Sequence, residues 1–183
     1  MEFVEVVKQR RSLRSLAPVE VSDVLIKDLA GVAGLAPSCS NKQPWRFVFV
    51  RSPAMLERMV ATLAPGNADW AKQASLIVAV WSQADLDCRT PDGRDYYQFD
   101  TGMASALLML AATEKNLVGH PIAGFDPQAA RQILALPDNA QVITLIIMGG
   151  HTQEISPALA AWQVKAEKQR PERLPFETFA SIV

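Results

Sequence analysis

The feature that most constrains the fold is the apolar stretch 102–113, which contains no charged side chain. It lies within a predicted helix that runs from about 98 to 116 and carries apolar residues on nearly all of its faces. Such a helix is buried in a core or in an oligomer interface. Because a membrane span needs roughly 20 residues, the stretch is too short to cross a bilayer.

The composition indicates one globular domain over 1–183. Hydrophobic residues make up 49% of the chain and charged residues 20%, and the formal net charge is -1. This charge provides no general attraction for nucleic acid or for an anionic membrane.

The first residues lack a basic segment followed by an apolar run, so no signal peptide is predicted. Cys39 and Cys88 form no CxxC pair, so neither a disulfide framework nor a zinc site is predicted. The expected location is cytoplasmic.

Periodicity and turn residues predict helices that alternate with strands. Helices are predicted over 2–9, 22–33, from 53, 98–116, from 127 and 157–168. Strands are predicted over 46–51, 75–81 and 142–148, with a strand-like tail at 178–183, and loops or irregular segments at 37–44, 64–67, 83–95 and 119–125. This order favours one sheet covered by helices, an α+β or α/β sandwich.

Several common catalytic motifs do not occur in the sequence. There is no GxGxxG after a strand, no GxxxxGK[ST] and no GxSxG. His120 and His151 have no second ligand at metal spacing, so no metal site is predicted. These gaps disfavour a Rossmann dinucleotide site, a P-loop nucleotide site and a serine hydrolase.

A basic cluster follows the first helix: Arg10, Arg11 and Arg14, with Ser12 between them. Guanidinium groups match phosphate oxygens bidentately, and a serine hydroxyl adds a neutral donor. The alternative is a solvated basic helix end, which suits the helix dipole.

Three further segments are candidates for ligand binding. The polar run Ser38-Cys39-Ser40-Asn41-Lys42-Gln43-Pro44-Trp45 carries amides that suit the edge of a flat heteroaromatic ring, or it is an ordinary turn before a strand. The glycine in Pro121-Ile122-Ala123-Gly124 allows backbone N–H groups to approach a ligand, or the segment is a helix-entry loop. Arg173 in the tail is either a ligand contact or a surface charge.

Taken together, these segments resemble the nitroreductase family of FMN-dependent oxidoreductases. The resemblance is carried by Arg10-Arg11-Ser12-x-Arg14, Pro37-Ser38-x-x-Asn41-x-Gln43-Pro44-Trp45, Asp100-x-Gly102, Pro121-Ile122-Ala123-Gly124-Phe125-Asp126 and Arg173-Leu174-Pro175. It implies a mostly antiparallel mixed sheet flanked by helices, in a homodimer with FMN at the subunit interface. It also implies electron transfer from NAD(P)H through FMN, in a ping-pong cycle, to a nitroaromatic, a quinone or a related small acceptor.

The resemblance also assigns roles to residues. Arg10, Ser12 and Arg173 would hold the FMN phosphate, and Arg11 and Arg14 would contact the ribityl chain and ring. Ser38, Ser40, Asn41 and Gln43 would lie along the flavin, some of them from the other subunit, and Asn67 would contact the pyrimidine side. Pro121, Ile122, Ala123 and Gly124 would line the flavin, with a backbone N–H near the reactive nitrogen. No side-chain acid or base is then required.

Two positions depart from the family pattern. Many members carry an acidic residue where Ala123 stands, and many carry lysine where Pro171 stands beside Arg170.

The reduced length leaves 83–97, with Arg89, Tyr96 and Tyr97, as the expected remnant of a substrate lid. Two other functions stay open: FMN storage or delivery without turnover, and a specialised branch such as reductive dehalogenation or flavin fragmentation.

Overall fold

The centre of the fold is strand β5 (Gln141–His151), whose apolar and β-branched residues are mostly buried. A computed structural model describes residues 2–183. In it β5 pairs with β1 (Leu16–Ala17), β3 (Leu76–Ser82) and β4 (Leu117–Ile122), while β2 (Arg46–Val50) pairs with β3. Every strand pairing in this part of the chain is antiparallel, which confirms the predicted α+β sheet.

Helices cover the sheet. Their bounds are α1 (Phe3–Gln9), α2 (Asp23–Ala33), α3 (Pro53–Val60), α4 (Pro65–Ala71), α5 (Tyr96–Glu114), α6 (Pro127–Ile133), α7 (Ala161–Lys168) and α8 (Phe176–Phe179). The predicted starts of α2 and α6 are confirmed, because Ser22 Oγ accepts from Leu25 N and Asp126 Oδ1 accepts from Gln128 N and Ala129 N. Within residues 2–183 no helix is long and apolar enough to cross a membrane.

The long helix α5 is buried on one side only. Ala104, Leu108 and Ala112 are fully buried, and Leu108 and Ala112 join α2 and the inner strands in one apolar cluster. The opposite side leaves Phe99 and Ala106 exposed. The prediction of a helix buried in a core or an interface is therefore confirmed for the core face, and the outer face remains apolar and open.

Four local predictions were wrong. Residues 117–122 form strand β4 although Gly119 and Pro121 suggested an irregular segment; β4 pairs only with β5, and an edge strand tolerates proline. Residues 65–71 form α4 with Pro65 at its first turn, where a missing N–H costs nothing. The tail contains the helical turn α8 and no strand, and α7 begins at Ala161.

The prediction about the cysteines was also wrong. Cys39 and Cys88 form a disulfide, with their Cα atoms 6.1 Å apart and a sequence separation of 49. The spacing gave no signal because the pairing is made by the fold: the loops after α2 and after β3 both reach the start of α5.

Candidate functional site

A basic cleft of about 680 Å³ lies between the segment 10–14, helix α7 and the tail. We call this the arginine cleft. Its walls carry Arg10, Arg11, Ser12, Arg14, Trp162, Lys165, Ala166, Gln169, Arg170, Pro171, Glu172 and Arg173. The fold thus brings the N-terminal cluster and Arg173, which are distant in sequence, to one place.

The centre of this charge is Arg10. Its side chain is partly buried, and Nη1 lies 3.3 Å from Ser12 Oγ, to which it donates. Burial, followed by the nearby charges of Arg170 and Arg173, lowers the pKa of Arg10. None of the arginines of the cleft forms a salt bridge with any of the residues 2–183. Since guanidinium groups that repel one another are stabilised by a shared anion, the cleft suits a phosphate.

Two of the arginines also hold the walls of the cleft together. Arg11 Nη2 donates to the carbonyl oxygens of Ala166 and Glu167, at the end of α7. Arg170 Nη2 donates to Arg10 O at 2.8 Å and to the carbonyl of Lys8. These bonds fasten α7 and the start of the tail to the end of α1, and they occupy part of each guanidinium.

Glu167 fixes the backbone that presents the cluster. This buried carboxylate accepts the backbone N–H of Arg14 at 2.7 Å and that of Ser15 at 3.2 Å. Nothing near Glu167 in sequence identifies this role, so inspection of the sequence missed it.

Aromatic rings connect the arginine cleft to the segment 120–124. The Arg14 guanidinium lies 5.0 Å from the ring of Trp162 and 6.0 Å from that of Trp70. Trp70 stacks on His120 with ring centroids 4.8 Å apart. Burial lowers the pKa of His120 to about 4. The ring is therefore neutral at physiological pH, and we assign Nδ1–H as the donor to Leu13 O at 3.0 Å.

The segment around Gly124 offers backbone donors. Gly124 O accepts from Ala64 N and from Asn67 Nδ2, at 2.9 and 3.2 Å. A Cβ on Gly124 would meet Asn67 Nδ2 at 2.9 Å and Ala64 Cβ at 3.3 Å, so the Asn67 side chain that donates to Gly124 O would have to shift. In the described chain the amides of Ala123 and Gly124 donate to no protein group, and both are therefore available to a ligand.

The residues before these donors have a different role. Pro121 and Ile122 lie in β4, and Ile122 is 5% exposed with its side chain in the core. For Ile122, only the backbone could contribute to a site. The structure therefore supports Ala123 and Gly124 as ligand-facing positions better than it supports the side chain of Ile122.

The polar loop 38–43, which we call the amide loop, does not line the arginine cleft. Ser40, Asn41 and Gln43 are exposed, and Gln43 Nε2 donates to Asn41 Oδ1 at 3.0 Å. Ser38 Oγ accepts from Gln43 N at 2.9 Å. No hydrogen bond found within residues 2–183 joins this loop to the arginine cleft. Within the single chain the candidates at 10–14 and 173 line one cleft and Asn67 contacts Gly124, whereas those at 38–43 do not line the cleft.

The α+β fold with its open antiparallel sheet agrees with one known family of proteins. The Nitroreductase family model matches residues 7–151. The chain belongs to this family of oxidoreductases.

Relatives match over most of their length. A 5,6-dimethylbenzimidazole synthase of Rhodobacter capsulatus is 29% identical over 170 residues, covering 80% of this chain and 82% of the relative. A NADH dehydrogenase of Thermus thermophilus is 26% identical over 180 residues, covering 82% and 87%.

Solved structures share the fold. An oxidoreductase containing FMN superposes with a TM-score of 0.83 at 26% identity, covering 96% of this chain and 89% of the other. A nitroreductase family protein of Clostridium difficile 630 superposes with a TM-score of 0.79 at 26% identity, covering 99% and 98%.

Proposed function

We propose that this protein is an FMN-dependent oxidoreductase that takes electrons from NAD(P)H and passes them to a small acceptor such as a nitroaromatic or a quinone. The observation that carries the proposal is the arginine cleft, where Arg10, Arg170 and Arg173 lie together and form no salt bridge within residues 2–183. Similarity to an oxidoreductase containing FMN and to a NADH dehydrogenase supports the same cofactor and donor.

The residues present fit FMN. Arg10, Ser12 and Arg173 would bind its phosphate, while Arg14 would lie beside the ribityl chain and ring. The amides of Ala123 and Gly124 would donate to the ring and stabilise negative charge there. When bound, FMN supplies the hydride and electron chemistry. The chain itself would bind, orient and polarise FMN, and no side-chain acid or base is assigned.

The position of the amide loop favours a homodimer. Ser40, Asn41 and Gln43 are exposed and separate from the cleft of their own protomer, so they would reach FMN bound by the second subunit. The open face of α5 supports this arrangement, since Phe99 is 57% exposed. The tail also exposes Phe176 and Phe179. A second copy of the chain would bury these surfaces.

A second candidate is a specialised synthase activity. It is favoured by the similarity to 5,6-dimethylbenzimidazole synthase. In that case FMN would itself be the substrate of a fragmentation reaction, and the arginine cleft would bind it in the same way.

The test begins with the purified chain and added FMN. We expect a yellow complex that oxidises NADH or NADPH when a quinone or nitroaromatic is supplied. A protein that stays colourless after FMN addition contradicts the proposal. A yellow protein inactive with both donors and all acceptors favours storage or delivery. Chromatographic detection of 5,6-dimethylbenzimidazole after incubation with FMN and NAD(P)H in air favours the synthase.

A further inference from the structure

The Cys39–Cys88 disulfide joins two segments that matter for the proposed site. Cys39 lies in the amide loop, and Cys88 lies in the segment 83–95 before α5. Both cysteines are only partly buried. A cleft of about 540 Å³ opens at Cys88 and is lined also by Arg89, Thr90 and Tyr96, among others. The cleft is therefore a route by which a small thiol or disulfide can approach Cys88.

The two cysteines are positioned by contacts that do not involve their sulfurs. Cys39 N donates to Asp100 Oδ2 at 2.7 Å, and Cys88 N donates to Asp87 Oδ1 at 2.7 Å. Both carboxyl groups are buried, and each keeps one oxygen without a hydrogen-bond partner in the described chain. The bond from Cys39 N joins residues 61 positions apart and does not depend on the disulfide, whereas the Cys88 bond is to its chain neighbour and fixes only the local backbone.

The carboxyl groups of Asp87 and Asp100 also influence each other. Burial and the neighbouring Asp100 raise the pKa of Asp87, while its bond from the Cys88 amide opposes that change. A carboxylate oxygen of Asp87 lies within 4.8 Å of both cysteine sulfurs, so the charge on this carboxyl group affects how readily a thiolate forms there.

The amide loop depends on its tethers. Ser40, Asn41 and Gln43 all have positive φ angles, of 46°, 55° and 50°, although none of them is glycine. Such conformations cost energy and persist only where surrounding contacts impose them. Cys39 is held by the disulfide and by the bond to Asp100, so reduction removes one of its two anchors.

We propose that Cys39 and Cys88 are a reversible dithiol–disulfide pair that controls the order of the amide loop and, through it, the affinity for FMN. The effect on FMN affinity rests on the proposed function, whereas the reversible pairing of the two cysteines and its effect on the loop do not. Disulfides in reducing compartments are usually transient or redox-sensing, which agrees with the expected cytoplasmic location.

The oxidant is a small-molecule disulfide such as oxidised glutathione. The Cys88 thiolate attacks one sulfur of it, forming a mixed disulfide and releasing one glutathione thiolate. The Cys39 thiolate then attacks the Cys88 sulfur, forming the protein disulfide and releasing the second thiolate. Two electrons pass from the cysteines to glutathione, and the two cysteine protons end on the released thiols. Reduction runs through the same steps in reverse.

The test uses the full chain equilibrated in glutathione buffers of several ratios, quenched in acid and alkylated. Intact mass should show either no alkyl group or two, with the same distribution reached from the oxidised and the reduced side. Cys39→Ser should leave a Cys88 that takes up one glutathione faster than Cys39 does in Cys88→Ser. Two alkyl groups in every buffer, or a disulfide that never opens, would overturn the proposal.

Amide hydrogen exchange then measures the order of the amide loop directly, in the absence of FMN. Exchange in peptides covering 38–43 should be faster in the reduced protein and in both serine variants, while β3 should be unchanged. Equal exchange in the two states overturns the coupling to the loop.

FMN titration of the two states gives the last comparison. If reduction lowers the population of the ordered loop, apparent affinity falls in proportion, by roughly three- to tenfold. Equal affinity in both states contradicts the coupling to FMN. Should neither state bind FMN while the exchange difference persists, the proposed function fails and the redox control of the loop stands.

Discussion

The carboxylate of Glu167 in α7 accepts the backbone N–H of Arg14 at 2.7 Å, across 153 residues of the chain. This contact, together with the bond from Ser15 N, places the basic cluster on the wall of the arginine cleft. Arg11 completes the junction from the other side by donating to the carbonyls of Ala166 and Glu167.

Glu167→Gln should therefore destabilise the fold. A glutamine offers one acceptor oxygen where the carboxylate offers two, so one buried N–H loses its partner at a cost of about 1–3 kcal/mol. Urea unfolding of the variant measures this loss, and Glu154→Gln, at an exposed position, serves as the control. Equal stability of the two variants would show that Glu167 does not hold the segment.

Gly124→Ala should also be destabilising, because its Cβ would meet Asn67 Nδ2 at 2.9 Å and Ala64 Cβ at 3.3 Å. Overpacking of this kind costs about 1–3 kcal/mol. Gly31→Ala is the matched control: Gly31 lies inside α2 with no atom within 4 Å of its Cβ position. There alanine should stabilise the helix by about 1 kcal/mol. Thermal unfolding measures both effects, and a Tm that shifts in the same direction for both variants would contradict this prediction.

His120 should make stability depend on pH. Burial holds its pKa at about 4 in the folded protein, against 6.5 for the free side chain. Between these values the unfolded chain binds more protons than the folded one, so the free energy of unfolding rises with pH. The contribution is complete above pH 6.5 and is lost as the pH falls towards 4, by about 3 kcal/mol.

The measurement compares wild type with His120→Asn, whose amide can still donate to Leu13 O. Urea unfolding from pH 4 to 7 should show a steeper loss of stability at low pH in the wild type. Parallel curves for the two proteins would contradict a neutral, buried His120.

The open face of α5 predicts how the chain assembles. Ala106→Glu places a charge in the middle of that apolar face, and burying an unpaired charge in an interface is strongly unfavourable. Light scattering should find a dimer for the wild type and a monomer for this variant. Gln132→Glu, at an exposed position on α6, should remain dimeric. A wild-type monomer at all concentrations would remove the basis for FMN contacts from two subunits.

Much of the fold was predictable because its signals are local. The caps at Ser22 and Asp126 marked helix starts, and the runs at 75–81 and 142–148 are apolar enough to be strands in any context. The failures are non-local. Pro121 disfavours a strand by itself, and only the edge position of β4 makes it tolerable.

The candidate site likewise contains residues that have a local sequence signal and residues that have none. Arg10, Ser12 and Arg14 are identifiable because they stand together in sequence, and the resemblance assigned Arg173 to the same phosphate. Glu167, Trp162 and His120 carry no local signal, since each gains its role from a partner brought close by the fold. The pairing of Cys39 with Cys88 was missed for the same reason.

The central claim is that Arg10 and its neighbours bind the phosphate of FMN. Riboflavin lacks that phosphate and is otherwise the same ligand, so the two flavins isolate the contact. For Arg10→Ala, FMN affinity should fall roughly ten- to a hundredfold, equivalent to about 1.5–3 kcal/mol, with riboflavin affinity little changed. Arg58→Ala, at an exposed arginine outside the cleft, should change neither. Fluorescence titration that finds equal losses for FMN and riboflavin in Arg10→Ala would contradict the account.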